Sequence, residues 1–299
     1  MVQQKIILGS RGSDLARVQV QLVEQALRKA WPQLDVLVEY IRTKGDEGGQ
    51  PQPIADRKAG RKGMFTREIE KELLVRRIDV AVHSAKDLPS EQRDDLEIRA
   101  VLPRAATHDI LITKSGGGLT SLVRGNVVAT GSVRRQRQLG WVRPDLKIVD
   151  LRGNVPTRLR KLGENEDWSG IILALAGVQR LGLKAEGEVL SSDDFVAAGG
   201  QGIIALQARS GDTGVLELLD AINDEATYVC LRAEREFLRL LNGDCDSPVG
   251  VQAKLEAEQL HLRAQVFEAS TEAPRVGTTA GPSADPEAVA SKLMEQLYG

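Results

Sequence analysis

Cationic and hydroxyl side chains recur in one kind of place along this sequence: just after a short apolar run and just before a helical stripe. Ser10, Arg11 and Ser13 follow KIIL (5–8), and Ser132, Arg134 and Arg135 follow NVVAT (126–130). Arg152 and Arg158 follow LKIVDL (146–151), and Arg180 follows GIILALA (170–176). Any one of these arginines, taken alone, reads as an ordinary helix-surface residue. Four junctions of one sign point further, because arginine forks and helix N-termini both select carboxylate or phosphate groups. The chemistry they suit is capture of a large or multiply charged anion.

HSAKDLP (83–89) adds a different element. Lys86 can pair with an anion, but Asp87 is an odd choice for that purpose. A carboxylate set among cations, yet facing a ligand, suits stabilising a developing cation or handling a proton on an N–H. The competing reading is an Asx-type turn in which Asp87 only caps the loop. NGDCDSPVG (242–250) places Cys245 on a Gly/Pro-flanked turn between Asp244 and Asp246. Flanking carboxylates disfavour a thiolate, so Cys245 is not an activated nucleophile. Cys230 shares a helix face with Phe237 and Leu241 and reads as packing.

Composition narrows the classes. The 299 residues allow two to three domains, and 41% hydrophobic with 27% charged residues describes an ordinary globular chain. A net charge of −2 with 3% aromatic residues argues against a nucleic-acid track or stacking platform, the RRQRQ run (134–138) notwithstanding. The basic groups must therefore be concentrated in a cleft. The N-terminal stretch lacks a secretory pattern and no apolar run approaches a bilayer span, which gives the expectation of a cytoplasmic protein with no membrane partner. Two cysteines and the scattered His83, His108 and His261 build no metal site.

These residues need elements to position them. Short strands alternate with helical stripes: KIIL leads into a helix with Leu15, Val18, Leu22 and Ala26 on one face, VLVEYI (36–41) and IDVAVHS (78–84) follow, and the strand-then-helix pattern repeats from 126 to 176. This alternation predicts parallel or mixed sheets covered on both faces, with ligands bound beyond the strand carboxyl ends. The segment 44–63 is a long Gly/Pro/charge-rich loop of the kind used as a lid, and LPRAATHD (102–109) separates two α/β blocks. A helix from about Asp224 to Leu241 precedes an α+β tail with a hairpin, the low-complexity stretch TTAGPSADP, and a closing helix from Asp285.

GSRGSDLA, HSAKDLP, TGSVRRQ, LRGNVPTRL, LALAGVQRLGL, GGQG and NGDCDSPVG occur in the order and at roughly the spacing found in the porphobilinogen deaminase (hydroxymethylbilane synthase) family. The chain resembles that family from end to end. The resemblance implies a transferase that joins four porphobilinogen molecules head to tail, releasing ammonia at each condensation, on a dipyrromethane cofactor held by a thioether to Cys245, and then hydrolyses off linear hydroxymethylbilane. An anchor bond that forms once does not require a lasting thiolate.

By the same resemblance, Ser84, Lys86, Asp87, Thr130, Ser132, Arg134, Arg135 and Arg152 bind the cofactor, while Arg11, Ser13, Gln19, Arg158, Arg180 and Gln201 line the substrate site. Asp87 is the catalytic residue: it contacts pyrrole N–H groups, assists loss of ammonia and stabilises the azafulvenium cation. The implied fold is α/β, with two periplasmic-binding-protein-like α/β domains (1–103 with 199–220, and 104–198) and a smaller α+β domain (221–299) carrying the cysteine. GGQGIIALQAR (199–209) should return to the first sheet, and Lys62 and Phe65 should face the cleft near the end of the lid. A cytoplasmic monomer is implied.

Three positions depart from the family pattern: Asp244 where a glycine often stands, Gly131 in place of a hydroxyl residue, and Gln207 at a position often acidic. Gly131 removes one possible carboxylate contact. A rival from another class is a non-catalytic binder of a small organic anion built on the same hinged architecture, which needs the arginines but neither Asp87 nor an anchored cofactor.

Overall fold

The computed structural model describes residues 4–43, 66–91, 93–242, 247–268 and 273–299. Its first sheet begins with β1 (Lys5–Arg11), α1 (Asp14–Ala30) and β2 (Asp35–Ile41), continues through α2 (Arg67–Leu74), β3 (Val80–Ser84) and a 3-10 turn at Ala85–Asp87, and reaches β4 (Leu96–Val101). The strand order is β2-β1-β3-β10-β4, where β10 is Ile204–Arg209. β1 runs parallel to β2 and β3, and β10 is antiparallel to both β3 and β4. The returning strand expected at 199–209 is therefore present in the first sheet, with Ile204 paired to Ser84.

Alternation puts Val80 and Val82 in a core with Ile6, Leu8 and Val20, while Ala81 packs on the other face with Ile69 and Leu73 of α2. Burial of each such aliphatic side chain contributes about 1.5–3 kcal/mol. The buried face of α1 is Ala16, Gln19, Val20, Val23 and Leu27, one position round from the stripe read in the sequence. Leu22 of that stripe is exposed. Leu15 has another use: its Cδ2 lies 3.7 Å from where a Cβ on Gly177, in the second α/β unit, would sit.

The second sheet repeats the plan. It comprises β5 (Asp109–Thr113), β6 (Val127–Ala129), α3 (Val133–Val142), β7 (Lys147–Val149), α4 (Val155–Glu164), β8 (Trp168–Ala174), α5 (Leu175–Arg180) and β9 (Glu188–Val189), in the strand order β7-β6-β8-β5-β9. β6 is parallel to β7 and β8, and β5 is antiparallel to β8 with Asp109 opposite Ala174. That register puts the start of β5 at the carboxyl end of β8. Ile110 and Ile112 pack on one face and Leu111 on the other, as two covered faces require. β5 was not recognised in the sequence because it lies directly against the supposed break at 102–109.

After α6 (Thr213–Asp220), helix α7 (Glu225–Leu240) leads to an antiparallel sheet of β11 (Val249–Glu256), β12 (Gln259–Val266) and β13 (Arg275–Pro282), closed by α8 (Pro286–Tyr298). Most of TTAGPSADP belongs to β13 rather than to a featureless tract. Its small residues are a packing device. A Cβ on Gly277 would lie 2.9 Å from Leu297, and one on Gly281 2.8 Å from Val289, so α8 sits on this strand only because these positions are glycine. Cys230 is buried among Phe237, Val251 and Leu262 in the same core, as read from the sequence.

Candidate active site

Strand ends deliver the site residues. Arg11 closes β1, and Ser13 caps α1, accepting from Ala16 N at 3.4 Å. Gln19 is buried two turns into the helix and exchanges hydrogen bonds with Ser84 at the end of β3: Gln19 Nε2 donates to Ser84 Oγ at 2.8 Å and Ser84 Oγ donates to Gln19 Oε1 at 3.2 Å. Lys86 and Asp87 follow on the 3-10 turn, both half-buried. Behind this turn, Ala85 N donates to Ile203 O and Lys86 Nζ reaches Gln201 Oε1 at 3.5 Å.

In the second unit, Thr130 is fully buried at the end of β6, its Oγ1 accepting from Ser132 N. Ser132 caps α3 by accepting from Arg135 N, which turns the first helical residues toward the same strand end. Gly131 has no room for a side chain, since a Cβ there would collide with the Leu151 carbonyl oxygen. Arg152 pairs with Asp150 at 2.8 Å, Arg158 Nε donates to Gly153 O at 2.7 Å, and Arg180 Nη2 donates to Gly202 O at 2.7 Å, bridging to the segment that returns to the first sheet.

Asp109, which the sequence reading did not select, ties the two halves together. Its carboxylate accepts from Arg134 Nη2 at 2.9 Å, from Arg135 Nη2 at 2.7 Å and from Gln201 Nε2 at 2.8 Å. Gln201 also carries Lys86, so a continuous relay runs from the first sheet to the paired arginines of the second. Burial alone would raise the Asp109 carboxyl, but the two guanidiniums and the hydrogen bonds together hold it well below the usual carboxylate range. Arg134 spends its remaining Nη1 on Gln138 Oε1 and Val196 O, each at 2.8 Å. It therefore offers an anion its charge and not an open fork. The signal for Asp109 was an acid placed immediately before the apolar ILI of a buried strand.

The electrostatics confirm that these groups share one space. Lys86 is lowered from 10.5 to about 8, first by burial and then by Arg135, with Asp87 pulling the other way. Arg158 is lowered to about 10 by burial, Arg135 and Arg152, again opposed by Asp87. Asp87 is thus near enough to act on both Lys86 and Arg158, as is Arg135. Among the described residues, Arg134 Nε and Arg135 Nε are buried without a hydrogen-bond partner. Surplus positive charge at these strand ends fits a ligand bearing several carboxylates. Lys62, Phe65, the 44–63 segment, Asp244 and Cys245 lie outside the described residues.

A two-lobed α/β scaffold that brings a half-buried carboxylate and strand-end cations together suits an enzyme of anionic small molecules. Residues 6–217 match the family model "Porphobilinogen deaminase, dipyromethane cofactor binding domain", and residues 228–299 match "Porphobilinogen deaminase, C-terminal domain". The porphobilinogen deaminase of Roseiflexus sp. (strain RS-1) is 43% identical over 300 residues, covering 99% of this chain and 96% of its own. That of Syntrophomonas wolfei subsp. wolfei is 46% identical over 257 residues, covering 86% and 83%. A solved methionine-binding protein, MetQ, aligns at 14% identity with a TM-score of 0.47, covering 85% of this chain and 99% of its own.

The chain belongs to the porphobilinogen deaminase family. It is a transferase with a dipyrromethane cofactor that condenses four porphobilinogen molecules head to tail with loss of ammonia and releases linear hydroxymethylbilane by hydrolysis. The non-catalytic anion binder is not favoured. Among the described residues no helix is long and apolar enough to cross a membrane.

Proposed function

We propose that this reaction is carried out by Asp87 in a cleft between the two α/β sheets, with the cations of both lobes dividing the carboxylates of cofactor and substrate between them. The observation that supports this most is the relay Lys86–Gln201–Asp109–Arg135, which joins a cation of the first sheet to one of the second beside the half-buried Asp87 that follows Lys86 on its turn. Ser84, Lys86, Thr130, Ser132, Arg135 and Arg152 would hold the cofactor carboxylates, with Arg134 supplying charge from behind. When bound, the dipyrromethane supplies the nucleophilic pyrrole carbon to which substrate is added.

Arg11, Ser13, Arg158 and Arg180 would hold the acetate and propionate groups of porphobilinogen, with Gln19 fixing Ser84 and Gln201 fixing Lys86 from the buried side. Asp87 would accept the pyrrole N–H and stabilise the positive charge that develops as ammonia departs, which is where a preorganised carboxylate contributes most. Cys245 would anchor the cofactor, with Lys62 and Phe65 closing over the cleft. The proposal divides the chain into 1–103 with 199–220, 104–198 and 221–299, a division supported by three sheets each with its own core. It also has the enzyme acting as a cytoplasmic monomer without a nucleic-acid partner, the last supported by the net charge of −2.

Intact-protein mass of the purified chain beside Cys245→Ser, before and after adding porphobilinogen, tests the reading. The expected result is an excess of two linked porphobilinogen units on the wild type, absent from the variant and growing by single pyrrole steps with substrate. A wild-type mass that carries no adduct and stays unchanged with porphobilinogen would overturn it. Sedimentation velocity and cell fractionation check the monomer and its location.

A further inference from the structure

The segment carrying Asp87 is gripped from outside its own sheet by two consecutive residues of α7. Glu234, fully buried, accepts from Gly200 N at 2.7 Å and is paired with Arg104 Nη1 at 2.6 Å. Gly200, at φ +75°, presses on the back of the 3-10 turn: a Cβ there would lie 2.9 Å from both Ala85 C and Lys86 N. The next residue, Arg235, donates Nη2 to Pro89 O at 2.7 Å and to Ser90 O at 3.2 Å, just beyond the turn. One helix therefore holds the turn from behind and from its exit.

Arg235 differs from the arginines beside it. On the same helix, Arg232 is paired with Glu287 and Arg239 with Glu236. Among the described residues, the hydrogen bonds of Arg235 go to the two carbonyls instead. Burial lowers it to about 10, with Tyr228 opposing the shift. Leu88 packs with Leu231 of α7 in one apolar cluster, but past it, at Ser90, the apolar contact gives way to a cavity of about 260 Å³ whose lining includes Glu91, Arg232, Arg235 and Glu236. The guanidinium spans that gap with two charge-assisted hydrogen bonds.

We propose that Arg235 is a positioning residue for Asp87, fixing the 87–90 segment against α7, the helix whose carboxyl end at Leu240 leads toward Cys245. One helix then grips the segment carrying the reacting carboxylate and precedes the proposed anchor, Cys245, in the sequence. This inference rests on the reading of Asp87 as the reacting carboxylate and of Cys245 as the anchor. Displacement of a positioned group by about 1 Å is enough to cost roughly 100-fold in rate.

The test is kcat and KM of cofactor-loaded Arg235→Leu and Arg235→Lys, with loading checked by intact mass, and single-turnover pyrrole addition in Asp87→Asn and in the Arg235→Leu/Asp87→Asn double variant. Expected are a fall in kcat of about 10- to 100-fold for Arg235→Leu with KM nearly unchanged, substantial recovery in Arg235→Lys, and no further loss from Arg235→Leu once Asp87 is Asn. Wild-type kcat in Arg235→Leu with Asp87→Asn inactive would overturn the positioning role alone. An equal loss from Arg235→Leu in both backgrounds would also overturn it, by showing a general structural effect. Wild-type turnover in Asp87→Asn would overturn the Asp87 reading and this inference together. Should Arg235→Leu not fold, Arg235→Gln replaces it, and wild-type kcat in both Gln and Lys variants counts against the proposal.

Discussion

Asp109 Oδ1 accepts Arg135 Nη2 at 2.7 Å with both side chains buried, and its other oxygen accepts Arg134 Nη2 at 2.9 Å. One carboxylate thus pairs with two adjacent guanidiniums and leaves a net positive charge on the cluster. Breaking a buried pair by removing one partner strands the other, at a cost of about 3–5 kcal/mol. Asp109→Ala should show a loss of that size in urea unfolding. Asp109→Asn, which keeps one acceptor oxygen, should lose less. Unchanged midpoints in both variants would mean the arginines are stabilised by something else.

Asp87→Asn preserves volume and removes the negative charge that Lys86 and Arg158 both sense. Because Asp87 is proposed to handle the proton and the developing cation, and not to anchor the cofactor, the variant should retain the cofactor mass on Cys245. Its turnover should fall at least about 100-fold, the usual scale for losing a positioned proton-transfer group. Loss of the adduct itself would shift Asp87 from chemistry to cofactor assembly.

The strand-end arginines, Asp87 and the α/β alternation were legible in the sequence because each is a local pattern: a strand, a turn, a helix cap. The crossing of β10 into the first sheet came only with the family resemblance, since GGQGIIALQAR carries no local mark of which sheet it joins. Asp109 and Glu234 escaped for a related reason. Both act over more than twenty residues of sequence, Asp109 on Arg134, Arg135 and Gln201 and Glu234 on Arg104, Gly200 and, nearer by, Ala253 N. Nothing in the local sequence distinguishes such a hub from a surface acid. The α1 stripe was misplaced because Leu15 serves the opposite lobe while Gln19, polar by type, is buried for its bond to Ser84.

Lys86 supplies a pH signature. Its ammonium is lowered from 10.5 to about 8 by burial and by Arg135. The unfolded chain therefore holds this proton more tightly than the folded one, so the charged lysine costs stability below pH 8 and the cost is relieved as pH rises from about 8 to 10.5. A bound carboxylate favours the ammonium and moves the titration back up. In ¹³C-lysine NMR, Cys245→Ser protein should show one lysine titrating near 8, absent from Lys86→Arg and shifted upward in the cofactor-loaded wild type. A Lys86 resonance titrating near 10.5 without cofactor would refute the electrostatic picture of the site.

His83 gives the complementary effect on the acid side. It is buried on β3 with Nε2 3.1 Å from Gln207 Oε1, while Gln207 Nε2 donates to Glu70 Oε1 at 3.3 Å, an orientation that makes the imidazole Nε2–H the donor. Burial lowers His83 from 6.5 to about 4, Gln207 opposes this, and the Arg235 charge adds to it. Between those values the unfolded chain binds a proton that the folded chain rejects, so stability is lost as pH falls from 6.5 toward 4. The full effect is about 3 kcal/mol at roughly 1.4 kcal/mol per unit. Urea titrations of wild type and His83→Asn should therefore differ in their pH dependence by about that amount across the window. Gln207→Glu, by setting a carboxylate against the ring, should raise the histidine and flatten the wild-type slope. Parallel slopes in wild type and His83→Asn would show that His83 takes no part in the acid response.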